Sequence, residues 1–243
     1  GSGMIEMPKV FQDGHVLPAE PTMKRLARAG GYNRVPVMLG TNRDENKLFM
    51  YLDDTWAWRI FGMIPHIYDP ALYDRNAEYM AKMWKATGAD GPAAAMAASG
   101  NDAVYVYRFD WDEEPSMLGI DLAQVLGASH GFEIPFVFGH FDLGKEGNII
   151  FTEDNRPGRD ELAATMMSYW AEFAHAGNPS RGRDGKLMEW EAWGDGAFIV
   201  LDTAADGGLH MSRDTVTPQG IVAALGEDAD SYTHLTLPTN REV

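Results

Sequence analysis

The sequence contains no cysteine. This absence excludes disulfide frameworks, zinc sites built from thiolates and cysteine nucleophiles. It does not fix the compartment, because a chain of 243 residues can bury a sizeable core without disulfides. The location of the protein, cytoplasmic or secreted, therefore stays open.

Basic residues and long apolar runs are also scarce. The chain has 20 Lys and Arg against 36 Asp and Glu, for a net charge of −16. Phosphates repel such a chain, so we predict no nucleic-acid partner and no anionic membrane partner. No apolar run approaches the roughly 20 residues of a membrane span, and there is no basic-then-apolar signal peptide. An acidic surface of this kind favours solubility.

Motifs for phosphate, dinucleotide and metal binding are missing. The sequence has no Gly-rich dinucleotide fingerprint, no P-loop and no H-E-x-x-H. Four of the histidines have no partner at the spacing of metal ligands: His66, His140, His175 and His210. We therefore predict neither a cofactor nor a metal.

Strand-like and helix-like segments alternate along the chain, which favours an α/β fold with a parallel sheet. The predicted strands are 34–42, 102–111 and 197–203, and the predicted helices are 44–52, 70–88 (capped by Gly88) and 159–179. Residues 92–98 read as an alanine-rich turn, and 112–126 as a loop or short helix. Three convincing strands are few for 243 residues, so the sheet is expected to be incomplete.

The stretch "GASHG" (127–131) matches G-x-S-x-G, the pattern that places a nucleophilic serine on a strand–turn–helix elbow. Here "LAQVL" precedes Ser129 and the aromatic run "FEIPFVFG", with Pro135, follows it. Neither flank predicts the strand and helix that an elbow needs. The context therefore argues against Ser129 as an elbow nucleophile.

Two other residues are candidates for acid–base chemistry. Glu45 follows a predicted buried strand, and functional groups gather beyond the carboxyl ends of such strands. His130 lies in a predicted loop, and an imidazole can act as general base near neutral pH. The residues alone leave two alternatives open: a solvated carboxylate at a helix start for Glu45, and a hydrogen-bonded loop histidine for His130.

Several stretches together resemble the type-B carboxylesterase/cholinesterase family of α/β-hydrolases. In "VPVMLGTNRDENKLF" (35–49) the resemblance maps the family's triad acid to Glu45, and in "GASHGFEIPFVFG" (127–139) it maps the triad base to His130. The other matching stretches are "FQDGHVLPAEP", "VYVYRFDW", "MMSYWAEFAHAGNPS" and "FIVLDTAADGGLHMS". The resemblance covers roughly residues 8–225 and implies a partial α/β-hydrolase fold, an incomplete and mostly parallel sheet flanked by helices.

The resemblance also implies that something is missing. In this fold the nucleophile precedes the acid, yet Ser2 is the only serine before Glu45, and the glycine-rich oxyanion segment is absent. The chain therefore resembles the C-terminal half of an esterase, one that keeps the acid and base and hydrolyses carboxylic esters, polyesters included, weakly at best. Ser129 stays an improvised nucleophile at most. The alternatives are an inactive fold fragment or binding module, and one half of a split esterase.

We expect one domain over residues 4–230. The "GSG" at 1–3 is predicted to be a cloning remnant. The tail at 231–243 contains "SYTHLTLPT", which resembles a translated sequencing adaptor, so we predict a truncated bacterial metagenomic gene; a native tail is the alternative. Because a half-sheet leaves a strand edge unpaired, a homo-oligomer that covers this edge is expected.

Overall fold

A computed structural model describes residues 11–60 and 64–227. The predicted remnant at 1–3 and the predicted tail at 231–243 lie outside the described residues. In chain order the strands are β1 (Val37–Asn42), β2 (Ala57–Ile60), β3 (Ile64–Ile67), β4 (Val104–Phe109), β5 (Ser116–Met117), β6 (Ile120–Asp121), β7 (Phe198–Leu201) and β8 (His210–Ser212).

The helices flank these strands. In chain order they are α1 (Thr22–Leu26), α2 (Lys47–Leu52), α3 (Pro70–Lys85), α4 (Gly91–Ala98), α5 (Leu122–Val125), α6 (Glu133–Phe138), α7 (Gly144–Ile150), α8 (Arg156–Ala176) and α9 (Pro218–Glu227). A π-helical turn, Ala86–Asp90, joins α3 to α4. None of the helices in the described ranges is long and apolar enough to cross a membrane.

The central sheet has four strands in the order β1-β4-β7-β8. The β1–β4 and β4–β7 pairs are parallel, and β8 is antiparallel to β7. The remaining strands form two small antiparallel hairpins, β2–β3 and β5–β6. The three predicted strands are thus confirmed as the parallel part of the sheet, and the predicted α/β class with an incomplete, mostly parallel sheet is correct.

The sheet is covered on both faces, which explains its apolar strands. On one face Tyr105 and Phe109 of β4 pack with a cluster that includes Phe136 of α6 and Met166 of α8. On the other face, neighbouring residues of the same strands pack against α4. That second cluster contains Ala89, Ala93, Met96, Val104, Val106, Trp193, Phe198 and Val200. Alternate side chains of each strand therefore enter opposite layers.

Two local predictions are wrong. The alanine-rich turn expected at 92–98 is helix α4, in which Pro92 lies at the helix start and the alanines supply high helix propensity. The aromatic run after His130, expected not to start a helix, forms α6. Pro135 lies in the first turn of α6, where its missing N–H is not needed, and Gly139 ends the helix with φ 60°.

The remaining helix predictions hold apart from their ends. Residues 44–52 contain α2, and 159–179 correspond to α8, which Gly177 ends with φ 71°. Gly88 does not cap α3 but lies inside the π-helical turn. The segment 112–126, predicted as a loop or short helix, contains the short helix α5 and, before it, a short hairpin.

Candidate active site

Glu45 lies just past the carboxyl end of β1, in the turn that leads into α2. Its residue surface is only 4% exposed, so it is not a solvated carboxylate. One carboxylate oxygen, Oε1, accepts a hydrogen bond of 2.9 Å from the backbone N–H of Asn42. The turn therefore holds the carboxylate against the end of its own strand and leaves Oε2 for a second partner.

His130 supplies that partner. Its Nδ1 lies 2.6 Å from Glu45 Oε2, a short charge-assisted contact across 85 positions of sequence. The imidazole packs against two aromatic rings, with centroid distances of 5.4 Å to Phe49 and 5.1 Å to Trp84. The histidine side chain stays 49% exposed. Because the carboxylate accepts a hydrogen bond at Nδ1, the proton of the neutral imidazole lies on Nδ1. Nε2 is then left free to accept a proton from another group.

Ser129 adjoins His130 in sequence but differs from it in environment. Ser129 is fully buried, and its hydroxyl donates a hydrogen bond to the carbonyl oxygen of Leu126. The element before it is α5 and the element after it is α6. A strand–turn–helix elbow is therefore absent at this position, as the sequence context predicts, although a helix does follow.

Asn42 joins the two halves of the site. Its side-chain Nδ2 donates to the backbone carbonyl of Ser129 at 2.7 Å and to Glu133 Oε2 at 2.6 Å. Asn42 is itself 3% exposed. The end of β1 is thus bonded to the segment on either side of His130.

Burial dominates the electrostatics of Glu45. Desolvation raises the pKa of Glu45, while the hydrogen bonds from Asn42 and His130 oppose the rise. Glu133 adds a further rise through charge repulsion. Burial also raises the pKa of Tyr107, with smaller contributions from Glu133 and Glu45, so this phenol stays protonated beside the site. A raised pKa of this kind is common where a carboxylate works in acid–base chemistry.

A cleft of about 730 Å³ lies beside the site, but His130 and Glu45 do not line it. Its lining is mainly charged: Arg43, Asp44, Lys47, Asp74, Glu78, Lys82, Lys85, Arg108, Asp112 and Asp121, with Asn42, Ala81, Ala123 and Gln124. The apolar surface next to His130 is instead provided by Phe49 and Trp84.

The sequence did not single out Asn42, Glu133, Phe49 or Trp84. Asn42 ends a predicted strand, and Trp84 lies on a predicted helix where it reads as a core residue. Glu133 follows His130 by three positions, which is the one local signal that could have suggested a role. Within residues 11–60 and 64–227, no group of three or more His, Asp or Glu side chains could hold a metal ion.

A buried carboxylate bonded to a histidine beyond the carboxyl ends of a mostly parallel sheet is an arrangement that α/β-hydrolases share. Solved structures agree. The carboxylesterase EST55 of Geobacillus stearothermophilus aligns with a TM-score of 0.57 and 25% identity, over 88% of this chain and 44% of that one. EstA of Aspergillus niger has the same fold, with a TM-score of 0.56 and 20% identity over 88% of this chain and 42% of that chain.

Sequence comparison gives the family. The sequence model of the Carboxylesterase family matches residues 69–212, more than half of the chain. The protein belongs to the carboxylesterase family. It is 29% identical to the para-nitrobenzyl esterase of Bacillus subtilis (strain 168) over 223 residues, covering 82% of this chain and 42% of that protein. It is 28% identical to the acylcarnitine hydrolase of Rattus norvegicus, covering 88% of this chain and 42% of that protein. The chain thus spans less than half the length of these relatives.

Proposed function

We propose that this chain hydrolyses carboxylic esters slowly through His130 and Glu45, with water as the attacking group. The observation that carries the proposal is the 2.6 Å contact between His130 Nδ1 and Glu45 Oε2 beside a half-exposed imidazole. Membership of the carboxylesterase family supports the reaction class. The chain is proposed to lack both the nucleophile elbow and the oxyanion hole of a complete esterase.

The chemistry of the pair follows from its hydrogen bonding. Glu45 accepts a hydrogen bond from Nδ1–H and keeps that proton on the ring, so Nε2 removes a proton from water as the water oxygen attacks the ester carbonyl. The same proton then passes from Nε2 to the departing alkoxide, which leaves a carboxylic acid and an alcohol. Without preorganised donors for the oxyanion the rate falls by about 10²–10³-fold, which is why slow turnover is expected.

Hydrolysis of p-nitrophenyl butyrate tests the proposal. We expect the wild-type rate to exceed buffer, and His130→Ala to lower the excess by about 10²-fold or to background, because general-base assistance contributes 10²–10⁴-fold. His140→Ala is the matched control, since His140 is an exposed histidine in the loop after α6. Equal rates for wild type and His130→Ala would refute the proposal.

Ser129→Ala separates water from an improvised serine nucleophile. Because the Ser129 hydroxyl is buried and bonded to Leu126, we expect this variant to keep the wild-type rate. A loss as large as that of His130→Ala would instead assign the attack to Ser129.

The same assay addresses the two alternatives. If wild type and His130→Ala both stay at background, a non-catalytic fold fragment or binding module is favoured. Activity that appears only after an N-terminal esterase half is added would favour the split-esterase alternative.

We also propose that the free edge of β1 pairs two copies of the chain. The backbone N–H groups of Val37 and Arg43 donate to the carbonyl oxygens of Ala103, just before β4, and Phe109, the last residue of β4, so every second residue along β1 directs its N–H at β4. The backbone N–H groups of Met38 and Gly40 consequently point away from β4. On that side of β1 the described residues contain no further strand of the sheet. An uncharged edge of this kind recruits partners.

Light scattering after gel filtration measures this pairing. We expect a homodimer for the wild type and for Met38→Ala, which keeps the outward N–H. Met38→Pro should give a monomer, because proline removes that donor without breaking the β4 ladder. A monodisperse wild-type monomer, or a Met38→Pro variant that stays dimeric, would contradict β1 pairing.

A further inference from the structure

We propose that Asn42 is a positioning residue that fixes the geometry of the Glu45–His130 pair. The catalytic part of this inference rests on the proposed function. The positioning itself can be measured without any hydrolysis. Three hydrogen bonds carry it. The Asn42 backbone N–H bonds Glu45 at 2.9 Å, and its side chain bonds Ser129 and Glu133 at 2.7 and 2.6 Å.

The bond to Ser129 orients the base. The acceptor is the carbonyl oxygen of the peptide group that links Ser129 to His130. A buried hydrogen bond there fixes the backbone from which the imidazole projects. Since the contact between His130 and Glu45 is only 2.6 Å long, a small rotation of this peptide group would separate the pair.

The bond to Glu133 provides a neutral donor to a second carboxylate near Glu45. Glu133 lies close enough to Glu45 to raise its pKa further by charge repulsion, so Asn42 bonds two carboxylates that repel each other. The amide of Asn42 donates to Glu133 through its side chain and to Glu45 through its backbone. A neutral side chain that donates is therefore required at this position. An acidic side chain of the same shape would face both the Ser129 carbonyl and Glu133 without a proton to share.

The NMR spectrum of the His130 ring nitrogens tests this inference without any turnover. In the ¹⁵N-labelled wild type we expect the tautomer with the proton on Nδ1, because Glu45 accepts a hydrogen bond from Nδ1–H. Asn42→Asp should lower the ratio of the Nδ1–H to the Nε2–H tautomer by about tenfold, the effect of losing a charge-assisted hydrogen bond. Adding Glu133→Gln to Asn42→Asp should recover part of the ratio, because it restores a donor between positions 42 and 133.

Asn101→Ala is the matched control. Asn101 is likewise buried and bridges two backbone groups, the carbonyl of Val35 and the N–H of Ala103, next to the sheet. It should leave the tautomer ratio of His130 unchanged. If Asn42→Asp does not fold, Asn42→Ala takes its place and should lower the ratio in the same direction.

An unchanged tautomer ratio in a folded Asn42 variant would overturn the inference, and so would an equal loss in Asn101→Ala. These outcomes are independent of the esterase assay. A wild type with no hydrolysis but the expected tautomer shift would refute the proposed function and leave the positioning role of Asn42 intact.

Discussion

Replacing Lys85 with alanine is expected to lower the free energy of unfolding by about 3–5 kcal/mol, because it leaves a buried carboxylate without its cation. Lys85 and Asp90 are 5% and 3% exposed, and Lys85 Nζ donates to both carboxylate oxygens at 2.8 and 2.7 Å. Burial is the main cause of the lowered pKa of Lys85, and the bonds to Asp90 oppose it. The ammonium group also lies 4.1 Å from the centre of the Phe198 ring.

The pair ties two distant parts of the chain together. Asp90 lies at the end of the π-helical turn, and its Oδ2 also accepts from the backbone N–H of Val216 at 2.7 Å. Lys85 donates in addition to the carbonyl of Asp214 at 3.3 Å. The segment after β8 is therefore bonded to the junction of α3 and α4.

Urea unfolding of Lys85→Ala and Lys82→Ala measures the effect. Lys82 is the matched control on the same helix, because its pair with Glu78 is exposed and should contribute only about 0.3–0.5 kcal/mol. Lys85→Met with Asp90→Asn should be more stable than Lys85→Ala, since no unpaired charge remains buried. Equal losses for Lys85→Ala and Lys82→Ala would show that the buried pair has no special role.

Replacing Asp202 with asparagine is expected to stabilise the protein above neutral pH. Asp202 follows β7 and is 6% exposed. Burial raises the pKa of Asp202 to about 7, and the neighbouring carboxylates of Glu113, Asp110 and Asp206 add to the rise. Its Oδ1 accepts from the backbone N–H of Thr203 at 2.8 Å, a bond that an asparagine carbonyl can keep.

The sign of the pH dependence follows from the two states of Asp202. Its pKa is raised from the ordinary 3.8 to about 7 in the folded chain, so between these values the unfolded chain releases a proton that the folded chain retains. The stability of the wild type therefore falls as the pH rises through this window. Above pH 7 the loss in free energy of unfolding caused by the ionised Asp202 is complete, and Asp202→Asn should recover about 2–4 kcal/mol of that loss.

Urea unfolding at several pH values checks this prediction. The difference in free energy of unfolding between Asp202→Asn and wild type should grow from near zero around pH 4 to its full size at pH 8. Asp102→Asn, at an exposed aspartate before β4, serves as control and should show no such growth. A difference that does not change with pH would contradict the raised pKa of Asp202.

The parallel strands were predictable from sequence because each is a short apolar run that must be buried on both faces. Glu45 and His130 were singled out together through the family resemblance, because the residues alone left a solvated carboxylate and a loop histidine as alternatives. Helices α4 and α6 were not predicted. Their Gly, Pro and aromatic residues favour turns or strands locally, and the helices depend on capping and on packing against the sheet.

Asn42 could not be assigned from sequence for a different reason. Its side-chain partners lie 87 and 91 positions away, so the bonds exist only after β1 and the segment around His130 come together. Phe49 and Trp84 pose the same problem, because each contacts an imidazole from another part of the chain. Periodicity shows that these rings are apolar helix residues but not which group they face.

The pairing of β1, β4 and β7 also has a consequence for folding kinetics. Val37 pairs with Val104 and Phe109 pairs with Leu201, so the partners are 67 and 92 positions apart. Closing such long loops costs conformational entropy before any strand contact offsets it, which slows folding. During that delay β4, the central strand, exposes two unpaired edges and two apolar faces. Yield from refolding should therefore depend on protein concentration more steeply than for a helical chain of the same length.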